Sequence, residues 1–320
     1  MSSAWLFEPE PPAFRKTLAE KLARAAARGI LIGTSSWKYE GWLGQIYTPE
    51  RYSRRDRFSA RLFEETCLEE YAAVFPIVCG DFTFYQFPSL QYWQRLFRSA
   101  PASLLFAFKA PEEITVRSWP HHARYGPRAG QENPSFLNAE TLSRMFLELL
   151  EPYRQQVALI IFEFGTFPAS TWDDRDSFSA ALDRFLTALP PHWNYAVEIR
   201  NSELLAPSYL ECLRRHRTAH VFNAWTRMPG IEAQMAVPEV ETAAFSVARA
   251  LLRRGRSYEE AVRMFQPYTT VRDENPAVRS ALQSLIRKAA GTRRKAYVFV
   301  NNRLEGNAPS TIDAVLEGFD

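Results

Sequence analysis

The sequence predicts an α/β chain: one closed, TIM-like (β/α) barrel behind an N-terminal helical extension. Three observations lead there. Eight short, almost continuously apolar runs recur along the chain, segments of helical periodicity separate them, and no GxGxxG loop follows the first run. Parallel strands buried on both faces need apolar runs of this kind. Regular strand–helix alternation implies βαβ units. A doubly wound open sheet would be expected to carry a dinucleotide loop after its first strand. Here Gly33, Gly41 and Gly44 have the wrong spacing and enclose a Trp- and Tyr-rich segment.

Residues 1–29 read as the extension. Pro9, Pro11 and Pro12 oppose early regular structure, and Leu18 and Leu22 mark one face of a helix over 14–28 that Gly29 stops. The barrel occupies 30–320. Its strands are expected at 30–34, 77–85, 104–109, 157–164, 195–200, 219–223, 244–249 and 296–301. Helices are expected at 63–75, 90–97, 142–150, 178–189, 209–215, 258–265, 278–290 and 311–316. The 320 residues suffice for such a barrel, which needs about 250.

Composition excludes other classes. With 46% hydrophobic and 23% charged residues the chain is neither disordered nor collagen-like. No apolar run approaches the roughly 18 residues of a membrane span. Thirty-nine basic and 36 acidic residues give a net charge of +3, compatible with an anionic ligand without requiring one. Cys67, Cys79 and Cys212 are odd in number and far apart, which fits free thiols in a reducing compartment. The start lacks a signal-like apolar core, so a cytoplasmic location is expected.

Barrel chemistry sits at the carboxyl ends of strands and the loops after them. Reading each run to its end gives Thr34 to Trp37, then Asp81, Thr83 and Tyr85 on one face, then Lys109, Glu163, Glu198 with Arg200, Asn223, Arg249, and Asn301 with Asn302. Period two puts Glu198 and Arg200 on one face, and sets Lys109 above Ala107 and Leu105. The expectation is a polar ring of both signs at one mouth, able to hold a carboxylate ionised and a lysine protonated. Polar strand ends are also what any exit to solvent requires, and Glu198–Arg200 reads equally as a buried structural ion pair.

The loop after the first strand carries Trp37, Lys38, Tyr39, Trp42 and Tyr47. It could stack on a base or sugar ring, or plug the barrel rim, with Lys38 and Tyr39 the ligand-facing members. Arg253, Arg254 and Arg256 follow the seventh strand closely enough to meet a phosphate, whereas the other arginine groups read as solvated helix faces. Asp81, Glu163 and Glu198 are the oxygen donors for a hard cation. No histidine stands at a strand end, and no metal-ligand, Walker or triad spacing occurs, so neither metal nor cofactor is expected.

Five segments resemble a known family: IGTSSWKYEGWLGQIY (32–47), FTFYQFP (82–88), FAFKAPEEIT (106–115), YAVEIRN (195–201) and FVNNRLEGNAP (299–309). In order and spacing the chain resembles the YecE-like proteins, domain of unknown function 72, over roughly 30–316. The resemblance implies a TIM-like barrel and no established activity. Its recurring positions fall on Thr34, Ser35, Trp37, Tyr39, Trp42, Tyr47, Thr83, Tyr85, Lys109, Pro111, Glu198, Arg200, Asn301 and Asn302. The chain departs from the resemblance at Cys79–Asp81, at Glu163 in place of a glutamine, at Asn201–Ser202 in place of His-Pro, and after Arg249.

The site expected from all this has Glu198 and Lys109 as catalytic groups. Trp37, Lys38, Tyr39, Asp81, Tyr85, Arg200, Asn223, Arg249, Asn301 and Asn302 are its binding groups. A hydrolase acting on a phosphorylated, sugar or nucleotide-type ligand is the first expectation. A non-catalytic module holding nucleic acid or another anion is the alternative. No membrane partner is expected.

Overall fold

A computed structural model describes residues 10–55, 57–168, 171, 172 and 174–319. Residues 1–9 of the expected extension, Pro9 included, lie outside the described residues. Eight parallel strands close a barrel: β1 (Ile30–Thr34), β2 (Ile77–Gly80), β3 (Leu105–Lys109), β4 (Val157–Glu163), β5 (Tyr195–Glu198), β6 (Ala219–Ala224), β7 (Phe245–Ala250) and β8 (Lys295–Val300). Each strand pairs with its sequence neighbours, and β8 returns to β1 from Ile30↔Ala296 to Thr34↔Val300. Strand spans follow the apolar runs to within a few residues, because those runs are what can be buried on both faces.

Alternation along each strand sorts the side chains. Ile77, Cys79, Ala107, Leu159, Ile161, Ala196, Val221, Val247, Tyr297 and Phe299 fill the barrel interior. The opposite faces join the helix layer in the main core, where Phe106, Phe108, Phe162 and Val298 are fully buried. The helix Ala13–Ala27 belongs to this layer. It buries Leu18, Leu22 and Ala25, and Lys21 pairs with Asp313 of the last helix at 2.6 Å. The predicted helix over 142–150 forms as a short α-turn, a wide turn over Ser143–Leu147, and a final turn, Glu148–Leu150. All three cysteines are free and buried. Among the described residues no helix is long and apolar enough to cross a membrane.

One prediction needs correction. The second strand stops at Gly80, and Asp81–Phe84 is a single helical turn rather than continued strand. A Cβ at residue 80 would sit 2.8 Å from the Phe108 ring, so only glycine lets the chain turn this closely. The Thr83 hydroxyl pins the turn, 2.9 Å from Gly80 O and 2.6 Å from Lys109 O. Asp81, Thr83 and Tyr85 therefore do not share a face: Thr83 is buried and Tyr85 is 61% exposed.

The seam between β1 and β2 is thin, with Thr34↔Val78 as its register pair. Gly33 explains the close approach, since a Cβ there would fall 1.8 Å from Ile77 O. A side chain supplements the ladder. The Tyr71 hydroxyl accepts from Thr34 N at 3.1 Å and donates to Ile77 O at 3.0 Å. Tyr71→Phe should leave both buried backbone groups unpaired and cost about 1–3 kcal/mol in chemical denaturation; an unchanged midpoint would show that the seam closes without it.

His220 on β6 supplies an acid-sensitive element. It is buried between Tyr209 and Gln234, its Nδ1 3.1 Å from the phenol oxygen and its Nε2 3.3 Å from Oε1. Burial lowers its pKa from 6.5 to about 4, against a smaller opposing effect of Gln234. The unfolded chain therefore binds this proton more readily. Stability from His220 should be complete above its ordinary pKa and be lost as pH falls toward the folded value, on the order of 3 kcal/mol in all. Denaturation midpoints between those two pH values should slope in the wild type and flatten in His220→Gln.

Candidate functional site

Strand parity builds the mouth. Asp81 enters from the helical turn after Gly80. Lys109 follows Ala107 and Leu105, Glu163 follows Ile161 and Leu159, Glu198 follows Ala196, and Arg249 follows Val247 and Phe245. Each is the next inward position above an interior apolar residue. Separate segments thus converge on one rim.

Glu163 and Glu198 are register partners on β4 and β5, so two carboxylates stand side by side. Such a pair needs cations between its members. Arg249 supplies one: Nη1 lies 2.5 Å from Glu163 Oε2 and also bonds Glu198 Oε2. Its Nη2 reaches Asp81 Oδ1 at 3.2 Å. Arg200 is the second, 2.8 Å from Glu163 Oε1 and 3.3 Å from Glu198 Oε1. Lys109 Nζ is 3.2 Å from Glu163 Oε2 and 3.3 Å from Asp81 Oδ1. Three carboxylates and three cations thus make one connected network, with Glu198 wholly sealed and Arg249 nearly so.

The network sets its own protonation. Burial alone would raise the pKa of Glu163, but Arg200, Lys109 and Arg249 hold it well below the usual carboxylate range. Burial opposes the charge on Lys109, yet Asp81 and Glu163 outweigh it and hold the ammonium above its ordinary value. Lys109 is therefore a fixed cation at neutral pH. Asp81 differs from the other acids. Its side chain is 27% exposed, and Oδ2 takes no hydrogen bond from the described residues.

Above the network opens a cavity of about 190 Å³. Lys109, Arg124, Arg200, Arg249 and Arg303 line it, with Asp81 and Glu163. Four of the cations rest on aromatic faces: Lys109 on Phe84 at 4.5 Å, Arg124 on Tyr85 at 5.1 Å, Arg200 on Trp225 at 3.8 Å and Arg303 on Tyr258 at 4.5 Å. This seating fixes each charge while leaving other donor edges free. Arg303 has no salt bridge among the described residues. The donor set is poorly suited to a hard cation, because an ion held by all three carboxylates would have to displace their arginine and lysine partners.

The structure brings Asp81, Tyr85, Lys109, Arg200 and Arg249 to the cavity wall and leaves the other expected site residues elsewhere. Glu198 lies beneath the cavity, both oxygens engaged by arginines. Asn223 is fully buried, donating to Ile199 O at 2.9 Å. Asn301 accepts from Arg303 N at 2.9 Å and Asn302 from Ala308 N at 2.7 Å. These asparagines shape the turn that carries Arg303. Trp37 and Lys38 line a different surface cleft, with Glu64, Tyr92 and Arg95. Tyr39 packs on Trp42 and Tyr268, so this loop is largely a plug. Arg253 and Arg256 turn from the mouth to Asp273, Arg253 at 3.2 Å. Asn201 clamps Phe167, accepting from its N–H at 2.7 Å.

Arg124, Arg303, Trp225 and Tyr258 are among the lining residues that strand-end reading misses, since they stand in turns, loops or at a helix start. Arg303 carried one signal: it directly follows the Asn301–Asn302 pair.

The comparisons agree with this architecture. No curated protein matches the chain. A DUF72 family protein from Thermotoga maritima is 20% identical, with a TM-score of 0.58 over 90% of this chain and 96% of its own. A DUF72 family protein from Enterococcus faecalis is 15% identical, with a TM-score of 0.59 over 90% of this chain and 94% of its own. At such identities the likeness shows the barrel fold. The family model described as "Protein of unknown function DUF72" matches residues 31–320. Spanning nearly the whole chain, that match establishes that the protein belongs to the DUF72 family, the YecE-like group.

Proposed function

We propose that the carboxyl-terminal mouth binds a small phosphorylated, sugar- or nucleotide-type molecule and hydrolyses it. One observation carries the reading: five cations face two carboxylates around a cavity, and one of those carboxylates has an unengaged oxygen. A buried ion network is a poor stabiliser, because desolvation costs several kcal/mol per ion and apolar replacements often serve as well. The strand interiors below show that this chain can fill the barrel with apolar side chains. A ligand is the better reason for a charged top layer.

The cavity is smaller than the roughly 300–1,000 Å³ of drug-sized sites, so it suits one phosphorylated or glycosyl unit. Lys109, Arg124 and Arg303 would neutralise its anionic oxygens, and the aromatic faces would flank a ring. Asp81, the acid with a free oxygen, would take a proton from the attacking water and return it to the leaving oxygen. Lys109, held protonated, supplies charge rather than a base. The expected acid–base role of Glu198 passes to Asp81, since Glu198 does not reach the cavity. Glu198 becomes a positioning residue that holds Arg200 and Arg249.

These roles separate experimentally. In a phosphomonoester and phosphosugar screen, Asp81→Asn should lower kcat at least about 100-fold, the usual contribution of a general base, with little loss of thermal stability. Glu198→Gln should lower activity and thermal midpoint together. Arg303→Ala should weaken inorganic phosphate binding about tenfold by calorimetry, roughly 1.4 kcal/mol. Full turnover in Asp81→Asn would remove it from the chemistry.

The second reading is a non-catalytic module for nucleic acid. It rests on the exposed rings of Tyr85 and Tyr258 beside Arg124 and Arg303. Fluorescence anisotropy with single-stranded oligonucleotides decides between them. Affinity that falls steeply with salt, without turnover of any screened ester, would favour the module. Salt-insensitive or absent binding would favour the small-molecule site.

A further inference from the structure

A second group of reactive side chains lies in the helix layer, remote from the mouth. Asp183 stands on the helix Arg175–Thr187, Cys212 on the helix Pro207–Arg215, and His216 at the end of that second helix. Cys212 and His216 are four residues apart, so one helical turn stacks them on the same face. Asp183 faces them from the neighbouring helix, its Oδ1 2.8 Å from His216 Nε2. One sulfur, one nitrogen and one oxygen thereby lie within 4.8 Å of one another.

We propose that Asp183, Cys212 and His216 form a binding site for a zinc-class divalent ion. Zinc accepts these three donor types, at about 2.0–2.3 Å in tetrahedral geometry. Ligand atoms then stand roughly 3.5 Å apart, which small side-chain rotations reach from the present spacing. The competing group is Arg215, whose Nη1 lies 2.9 Å from Asp183 Oδ1. Its side chain is 58% exposed, so it can swing into solvent as the ion takes over its charge role. Coordination also replaces the thiol proton, which leaves to bulk water. Burial pushes the Cys212 thiol up to about 12, a cost that direct binding to a divalent ion overcomes.

Access comes from the amino-terminal end of the barrel. His216 borders a cavity of about 860 Å³ there, lined also by Trp193, Arg217 and Arg294. Three protein ligands leave the fourth position of a tetrahedral ion to water or an anion. An ion here would fasten two neighbouring helices of the barrel wall.

Cobalt(II) titration of the tag-free full chain under reducing conditions tests the site. Expected are one equivalent bound, visible d–d bands, a near-ultraviolet thiolate-to-cobalt band, and loss of both on adding zinc. Cys212→Ser should abolish the thiolate band and weaken binding at least tenfold. Asp183→Asn, which leaves the buried thiol in place, should weaken binding by a similar factor and guards against a Cys212 variant that fails to fold. Absence of bands at millimolar cobalt, or a thiolate band that survives Cys212→Ser, would overturn the proposal.

Discussion

Arg249 is the residue around which the mouth is organised. Its guanidinium touches all three carboxylates of the network, and it is almost wholly removed from water. A cation buried this deeply persists only if acids surround it, and paired acids on adjacent strands persist only if a cation lies between them. The requirement is mutual. Arg200 and Lys109 complete the balance from the flanks, and none of the sealed members Glu163, Glu198 and Arg249 can be exchanged alone without stranding another. The low pKa of Glu163 and the fixed charge of Lys109 are two expressions of this one constraint.

Barrel closure makes the convergence possible. Inward positions recur every second residue, and in a closed parallel barrel all strands end at the same mouth, so their last inward side chains meet there. The seam at Gly33 matters here. There Gly33 admits the close approach of β1 and β2 and the Tyr71 hydroxyl bridges them, while the β2–β3 ladder sets Asp81 beside Lys109. A turn rather than a strand after Gly80 then swings Phe84 beneath Lys109 and puts Tyr85 on the rim.

Much of this was legible in the residues. Eight apolar runs located the strands, and their last residues placed Lys109, Glu163, Glu198 and Arg249 in one ring, because both signals arise from burial within a single strand. The helix faces showed for the same reason. What could not be read depends on contacts between segments. A polar strand end looks alike whether it faces a cavity or caps the next turn, so Asn301 and Asn302 resembled ligand groups although their oxygens serve backbone amides. Trp37 and Lys38 follow a strand yet leave sideways into another cleft. Arg124 comes from the short helical segment Ala123–Arg128, which no periodicity marks. The end of the second strand was hidden because Ile77 to Tyr85 is apolar enough to continue, and the turn is held by contacts from other segments, such as the Thr83 hydroxyl on Lys109 O.

Charge compensation changes with depth in the mouth. At the floor, Arg249 and Arg200 are matched by Glu163 and Glu198, and little field is left over. At the rim, Arg303 faces a tyrosine ring and no carboxylate, and Arg124 shares its charge between Glu112 and aromatic faces. Aromatic quadrupoles hold a cation in place but do not cancel its charge at a distance. The charge left without a carboxylate partner among the described residues, that of Arg303, therefore lies near the entrance. An anion drawn inward would come to rest between the rim arginines and Lys109, beside the free oxygen of Asp81, and would gain nothing by descending to the compensated floor. The buried network would then serve as a rigid base for Lys109 and Asp81, which is the role a costly set of buried charges can fill and an apolar plug cannot.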